Sequence, residues 1–136
     1  MRLKENLEII ENRNNVALRA SLKCNCGCRS FSIFHSGKQT KGILSPHIKM
    51  KNKQLLIKTI CSNCGNELIV FDSKFDGSHT TNIDHGELVE FIFNSNNIFE
   101  ICIAHNYFKE DYLTDRFHDI FVLAKTKKGK EITLYE

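Results

Sequence analysis

The chain has 136 residues, 41% of them apolar, with ten Phe and a formal charge of 19 − 16 = +3. Residues 1–136 are therefore long enough for a single domain with a real core, and so mild a charge makes no general case for nucleic acid. No apolar run approaches the roughly 20 residues that cross a bilayer, so no membrane span is expected.

Met1 to Ala20 carries charges throughout and lacks the apolar centre of a secretory signal. The expected compartment is the cytoplasm. A single Pro with abundant Asn, Lys and Ile suggests the codons of an AT-rich bacterial genome.

In Met1 to Arg13, Leu3, Leu7 and Ile10 recur at helical spacing. They are compatible with a short N-terminal amphipathic helix, which thirteen residues hold only with tertiary support. Asn12 to Asn15 reads as a turn. From Val16 the period becomes two: Val16, Leu18, Ala20 and Leu22 share one face, and Arg19, Ser21 and Lys23 the other. That strand runs into the cluster Cys24-Asn25-Cys26-Gly27-Cys28, beyond which Phe31 and Ile33 alternate with Ser30 and Ser32. The expected form is a β-hairpin with the first cysteines at its tip.

Ser36 to Lys53 carries Lys38, Lys41, Lys49, Lys51 and Lys53. It contains no Arg for bidentate phosphate recognition and no aromatic platform for bases. It reads as a solvated connection in preference to a polyanion-binding loop. Leu55, Ile57 and Thr59 then alternate with Leu56, Lys58 and Ile60 up to Cys61-Ser62-Asn63-Cys64-Gly65, and Leu68 to Phe71 lead away. A second hairpin is expected, again tipped with cysteines. Asp72 to Gly86 is a long loop holding His79 and His85.

From Glu87 the pattern is strongly β. Leu88 to Phe93 reads as a central strand, Asn94 to Asn97 as a turn, and Ile98 to His105 as a strand apolar on both faces. Phe117 to Ala124 and Ile132 to Tyr135 flank the turn Lys127-Lys128-Gly129-Lys130. Residues 87–136 are thus expected to form an antiparallel four-stranded meander, and the whole chain an all-β fold.

Paired cysteines in a chain without a secretory signal point to metal before disulfides. An oxidisable dithiol or an iron–sulfur site is the remaining alternative. Zn²⁺ takes four sulfurs in a tetrahedron, and one tight turn can aim two of them at a common centre. A cysteine pair followed by glycine occurs in both turns, so Cys24, Cys26, Cys61 and Cys64 are the expected ligands of one zinc ion. Cys28 is a substitute for either Cys24 or Cys26, and His79 is a weaker alternative. Residues 16–71, with Cys24, Cys26-Gly27, Cys61 and Cys64-Gly65 at two hairpin tips, resemble a zinc ribbon. The resemblance implies a structural zinc and roles in nucleic-acid or protein contacts. The one-residue spacer of the first turn departs from the commoner two-residue spacing.

Catalysis is not expected. Four thiolates leave no open position for a reacting water. His85-Gly86-Glu87 matches the His-x-Glu of zinc deaminases, but there the Cys-x-x-Cys follows the His-x-Glu, and here it precedes it. His118 and Asp119 would point to opposite faces of a strand, and Cys102 in an apolar strand reads as a small buried hydrophobe. The expected function is a protein-interaction or small regulatory module. The stretch Glu110 to Asp115 offers mixed charge and an aromatic of the kind interfaces favour, as in a toxin-neutralising protein. The alternative is a nucleic-acid binder using the lysines of Ser36 to Lys53 and Lys125 to Lys130.

Overall fold

The computed structural model describes residues 5–13, 17–40, 46–76, 84–105 and 120–136, and over them the fold is all-β. In chain order the strands are β1 (Leu7–Arg13), β2 (Ala17–Leu22), β3 (Phe31–His35), β4 (Lys38–Gln39), β5 (Ile48–Lys49) and β6 (Leu56–Cys61). They continue with β7 (Glu67–Asp72), β8 (Val89–Glu90), β9 (Glu100–His105), β10 (Phe121–Lys125) and β11 (Glu131–Tyr135). One antiparallel sheet has the order β1-β2-β9-β10-β11, a second the order β7-β6-β3-β8, and β4 and β5 form a separate ribbon.

Three expectations are corrected by this topology. The N-terminal segment over residues 7–13 is a strand, not a helix. Its register on β2 shifts between Ile9 and Glu11, so Ile10 is an extra residue that breaks the period of two. That bulge is what made the Leu7 and Ile10 spacing look helical. Backbone pairing with β2 satisfies the N–H and C=O groups that an isolated short helix would hold only weakly.

Secondly, β2 and β3 do not form a hairpin. β2 lies between β1 and β9, whereas β3 pairs with β6 and β8 in the other sheet. The first cysteine cluster sits in the link that carries the chain from one sheet to the other. Alternation decides which face of a strand is buried, and Ala20, Leu22, Phe31 and Ile33 are indeed inside. It does not decide which neighbour supplies the hydrogen bonds. The β6–β7 hairpin does form, paired from Leu56↔Asp72 to Ile60↔Glu67, with Cys61 and Cys64 at its tip.

Thirdly, residues 87–136 do not make a four-stranded meander. β9, β10 and β11 pair consecutively, but β8 pairs with β3 in the second sheet, and β2 and β1 complete the first. Leu88 to Phe93 is accordingly no central strand: Phe91 is buried, while Val89 is 50% and Ile92 48% exposed. The turn at Asn94 and Ser95 does form, bridged by Phe93↔Asn96, with both residues at positive φ. So does the Lys127–Lys130 turn, closed by Gly129 N–H onto Thr126 O and Thr126 N–H onto Lys130 O.

The inner faces of the two sheets share one hydrophobic cluster. Phe31, Phe71, Phe91 and Phe99 are fully buried in it beside Leu22, Ile57, Ile101, Val122 and Leu134. Full burial of each ring contributes about 1.5–3 kcal/mol. Cys24 and Cys61 belong to the same cluster, so the cysteine turns are built onto the edge of the core.

Candidate metal centre

Each cysteine turn is closed by its own backbone. In the first, Cys24 N–H donates to Cys28 O at 2.9 Å and Gly27 N–H to Cys24 O at 2.8 Å. In the second, Cys61 N–H donates to Asn66 O at 2.9 Å and Gly65 N–H to Cys61 O at 3.0 Å. The pattern is the same with one residue fewer, which is how Cys-x-Cys does the work of Cys-x-x-Cys. Gly27 at φ +95° and Gly65 at φ +78° end the two turns in the left-handed region that glycine enters without strain. Ser62 N–H donates to Ser30 O at 3.0 Å and ties the turns together. Asn6, on the N-terminal side of β1, holds the first turn from outside, its Nδ2 donating to Lys23 O at 3.0 Å and Asn25 Oδ1 at 2.9 Å.

The four thiols of Cys24, Cys26, Cys61 and Cys64 converge. Cys24 Sγ lies 3.4 Å from Cys64 Sγ, Cys26 Sγ lies 3.6 Å from Cys61 Sγ, and all four sulfurs are within 4.8 Å of one another. These separations are far beyond the roughly 2.05 Å of a disulfide. A tetrahedral metal with bonds of about 2.3 Å sets its sulfurs about 3.8 Å apart, so the cluster can hold a metal ion after small adjustments. Cys24 and Cys61 face the core, and Cys26 and Cys64 face solvent.

Amide donors surround the sulfurs. Asn63 N–H points at Cys61 Sγ at 3.4 Å and Asn63 Nδ2 at Cys26 Sγ at 3.6 Å, while Asn66 Nδ2 reaches Cys24 Sγ at 4.0 Å. The Asn63 amide, followed by the Cys28 N–H, lowers Cys26 to about 6. Burial pushes Cys61 up to about 12. For Cys64 the Asn66 N–H acts downward, but the Cys24 thiol and burial outweigh it and the net shift is upward. A thiol raised in this way, as Cys61 is, stays protonated until a cation balances its charge, and binding then releases the proton.

Cys28 is not among the four. Its Sγ lies 3.6 Å from Ser30 O and 3.6 Å from Ser62 Oγ and accepts from Ser30 N–H at 3.4 Å. His79 and His118 lie outside the described residues, as does the Glu110 to Asp115 stretch. His85 is held by Gln54 Oε1 on one ring nitrogen and by Asp72 Oδ1 at 2.9 Å on the other. Cys102 is half-buried on β9, and burial raises its thiol, the reverse of an activated nucleophile. The sulfur-facing amides Asn63 and Asn66 were missed in the sequence. Their signal was only an Asn inside, and another just after, a cysteine turn.

No protein-family model matches the chain, and no curated protein or solved structure matches it.

Proposed function

We propose that Cys24, Cys26, Cys61 and Cys64 bind one structural zinc ion, and that the protein acts as a non-enzymatic interaction or small regulatory module. The observation that carries the first part is the convergence of four thiols, two from the link between sheets and two from a hairpin tip. Four sulfurs in a tetrahedron suit zinc or iron, and zinc brings no redox chemistry to a site built into a core edge. Filled by four thiolates, the ion has no open position, so its work is to fasten. It joins segments separated by 35 residues at Cys26 and Cys61, tying the inter-sheet link to the second sheet.

The module reading is supported by apolar side chains left outside. Ile10 is 58% exposed on the strand at one sheet edge, Val89 is exposed on the edge strand β8 of the other, and Ile92 is exposed just beyond β8. Elemental analysis of the purified chain tests the metal. One zinc per chain is the expected result; iron with visible absorbance, or no metal, refutes it. In-cell crosslinking of the intact protein tests the module, which predicts a defined and reproducible partner.

A further inference from the structure

Lys49 and Lys130 stand far apart in the sequence, yet the fold brings the ribbon strand that carries Lys49 against β11 and the Phe93 ring beneath Lys130. His47 N–H donates to Thr133 O of β11 at 3.1 Å, and Gln39 Nε2 donates to Ile92 O at 2.8 Å. The Phe93 ring lies 5.2 Å from the His47 ring and carries Lys130 Nζ 5.2 Å above its centroid. Ile92 and Val89 project into solvent beside this corner.

Lys125 faces Glu100 and Glu131 across its neighbouring strands, but other lysines of this region have no ion-pair partner among the described residues. Lys38 and Lys49 are direct cross-strand partners on the ribbon, a like-charge pair that costs stability. Among the described residues the ion pairs are Arg19–Glu131, Arg29–Glu8, Lys58–Glu67, Lys74–Asp84 and His85–Asp72. None includes Lys38, Lys49 or Lys130, all three of which are exposed. Lys130 over Phe93, beside exposed Ile92, with further unpaired lysines on the adjoining ribbon, is matched by a ligand bearing both carboxylates and apolar groups.

We infer that the ribbon and the adjoining Ile92–Phe93 corner form a docking surface for an acidic, aliphatic-bearing segment of a partner protein. The inference rests on the interaction-module reading and names the partner's chemistry. A nucleic acid fits less well. The cations of the corner are lysines, which lack the bidentate fork. Lys130 occupies one face of Phe93, where a base would stack. Ile92 and Val89 have nothing to meet on a phosphodiester backbone. An acidic segment with Leu or Ile would relieve the Lys38–Lys49 repulsion and cover the aliphatic corner in one contact.

The test uses the metal-loaded full chain and a labelled synthetic peptide alternating Glu and Leu. Fluorescence anisotropy should show saturable, salt-weakened binding, tighter than that of a Glu–Ser peptide. Amide NMR shifts should concentrate at Lys49, Val89, Ile92 and Phe93. The double substitution Lys49→Glu, Lys130→Glu should weaken binding about tenfold, and Ile92→Ser should weaken it with the lysines intact. Undetectable binding, equal affinity for the double variant, or shifts confined to the outer face of the first sheet would each overturn the surface. So would a single-stranded oligonucleotide that binds more tightly and is lost in the same variant. Crosslinking in cells separates this inference from the reading beneath it. If the double variant keeps every partner of the wild type, the surface is wrong and the module stands; if the wild type has none, the module reading itself falls.

Discussion

Cys24 Sγ and Cys64 Sγ meet at 3.4 Å although 40 residues of chain separate them. The first sits where the chain leaves one sheet, and the second at the tip of a hairpin in the other. A cation bound between them would stabilise this long-range closure.

Replacing one thiol should therefore release the ion. Structural zinc contributes apparent binding energies of about 10–16 kcal/mol, so a quarter share is about 2.5–4 kcal/mol, or roughly a hundred- to a thousandfold in affinity. Cys64→Ser is expected to purify with substoichiometric metal and a lowered unfolding midpoint. Cys28→Ser should keep one ion per chain, because its sulfur is engaged by Ser30 and Ser62. Cys102→Ser should keep the ion and cost only about 1 kcal/mol. Metal-to-protein ratios for the three variants decide it, and a Cys28→Ser protein that loses its ion would place the ligands wrongly.

Chelation should not dismantle the whole protein. Cys24 and Cys61 sit at the edge of a hydrophobic cluster that also contains Phe99, Ile101, Val122 and Leu134, so burial persists without the ion. Hydrogen exchange with and without chelator is expected to show early deprotection over residues 24–30 and 61–66. The amides of β9 and β10, central in the first sheet, should follow later. Simultaneous loss of protection everywhere would mean that the core depends on the metal throughout.

Much of this was legible in the residues. The Cys-x-Cys-Gly and Cys-x-x-Cys-Gly spacings pointed to the four thiols that converge, and alternation at 16–23, 30–33 and 55–60 marked strands. Partnership was not legible. β2 and β3 have the same period whether they pair together or in separate sheets, and only long-range packing puts them apart. The Ile10 bulge disguised β1, because one added residue turns a period of two into a spacing of three. Phe91 showed as apolar but gave no sign that it alone in its run would be fully buried.

His35 predicts a pH dependence. Its ring is fully buried on β3, neither nitrogen makes a hydrogen bond of ordinary geometry among the described residues beyond the approach of the Gly37 backbone, and Phe91 packs on it edgewise at 6.4 Å. Burial lowers its pKa from the ordinary 6.5, opposed only by the Gly37 backbone. The unfolded chain thus takes up this proton at a higher pH than the folded one. Stability should be level above about pH 7 and fall as pH drops below about 6.5, by at most about 1.4 kcal/mol per pH unit from this group. His47, shifted downward by burial and by Lys130, acts in the same direction. Urea unfolding of metal-loaded wild type and His35→Leu from about pH 8 to about pH 5.5 isolates the term, since thiolate protonation is common to both. The variant should lose part of the acid decline and, having no unpaired buried nitrogen, should not be weaker near neutrality. Parallel profiles would show that the ring is not titrating as described.

Two glycines should answer to substitution for opposite reasons. A Cβ on Gly37 would overlap the Lys49 carbonyl oxygen and come within 2.7 Å of Leu55 Cδ1 and 3.0 Å of Ile48 Cγ2. The first of these is backbone of the ribbon, which has no side-chain rotation with which to yield. Gly37→Ala should cost about 1–3 kcal/mol and push the β4–β5 ribbon away from β3. Gly65 has open space around its Cβ position and only its positive φ to defend, so Gly65→Ala should cost about 1–2 kcal/mol without displacing anything. Denaturant midpoints together with NMR shifts at Ile48 and Lys49 distinguish the two. Equal stability loss with no shift at the ribbon in Gly37→Ala would mean that the close approach is not what selects glycine there.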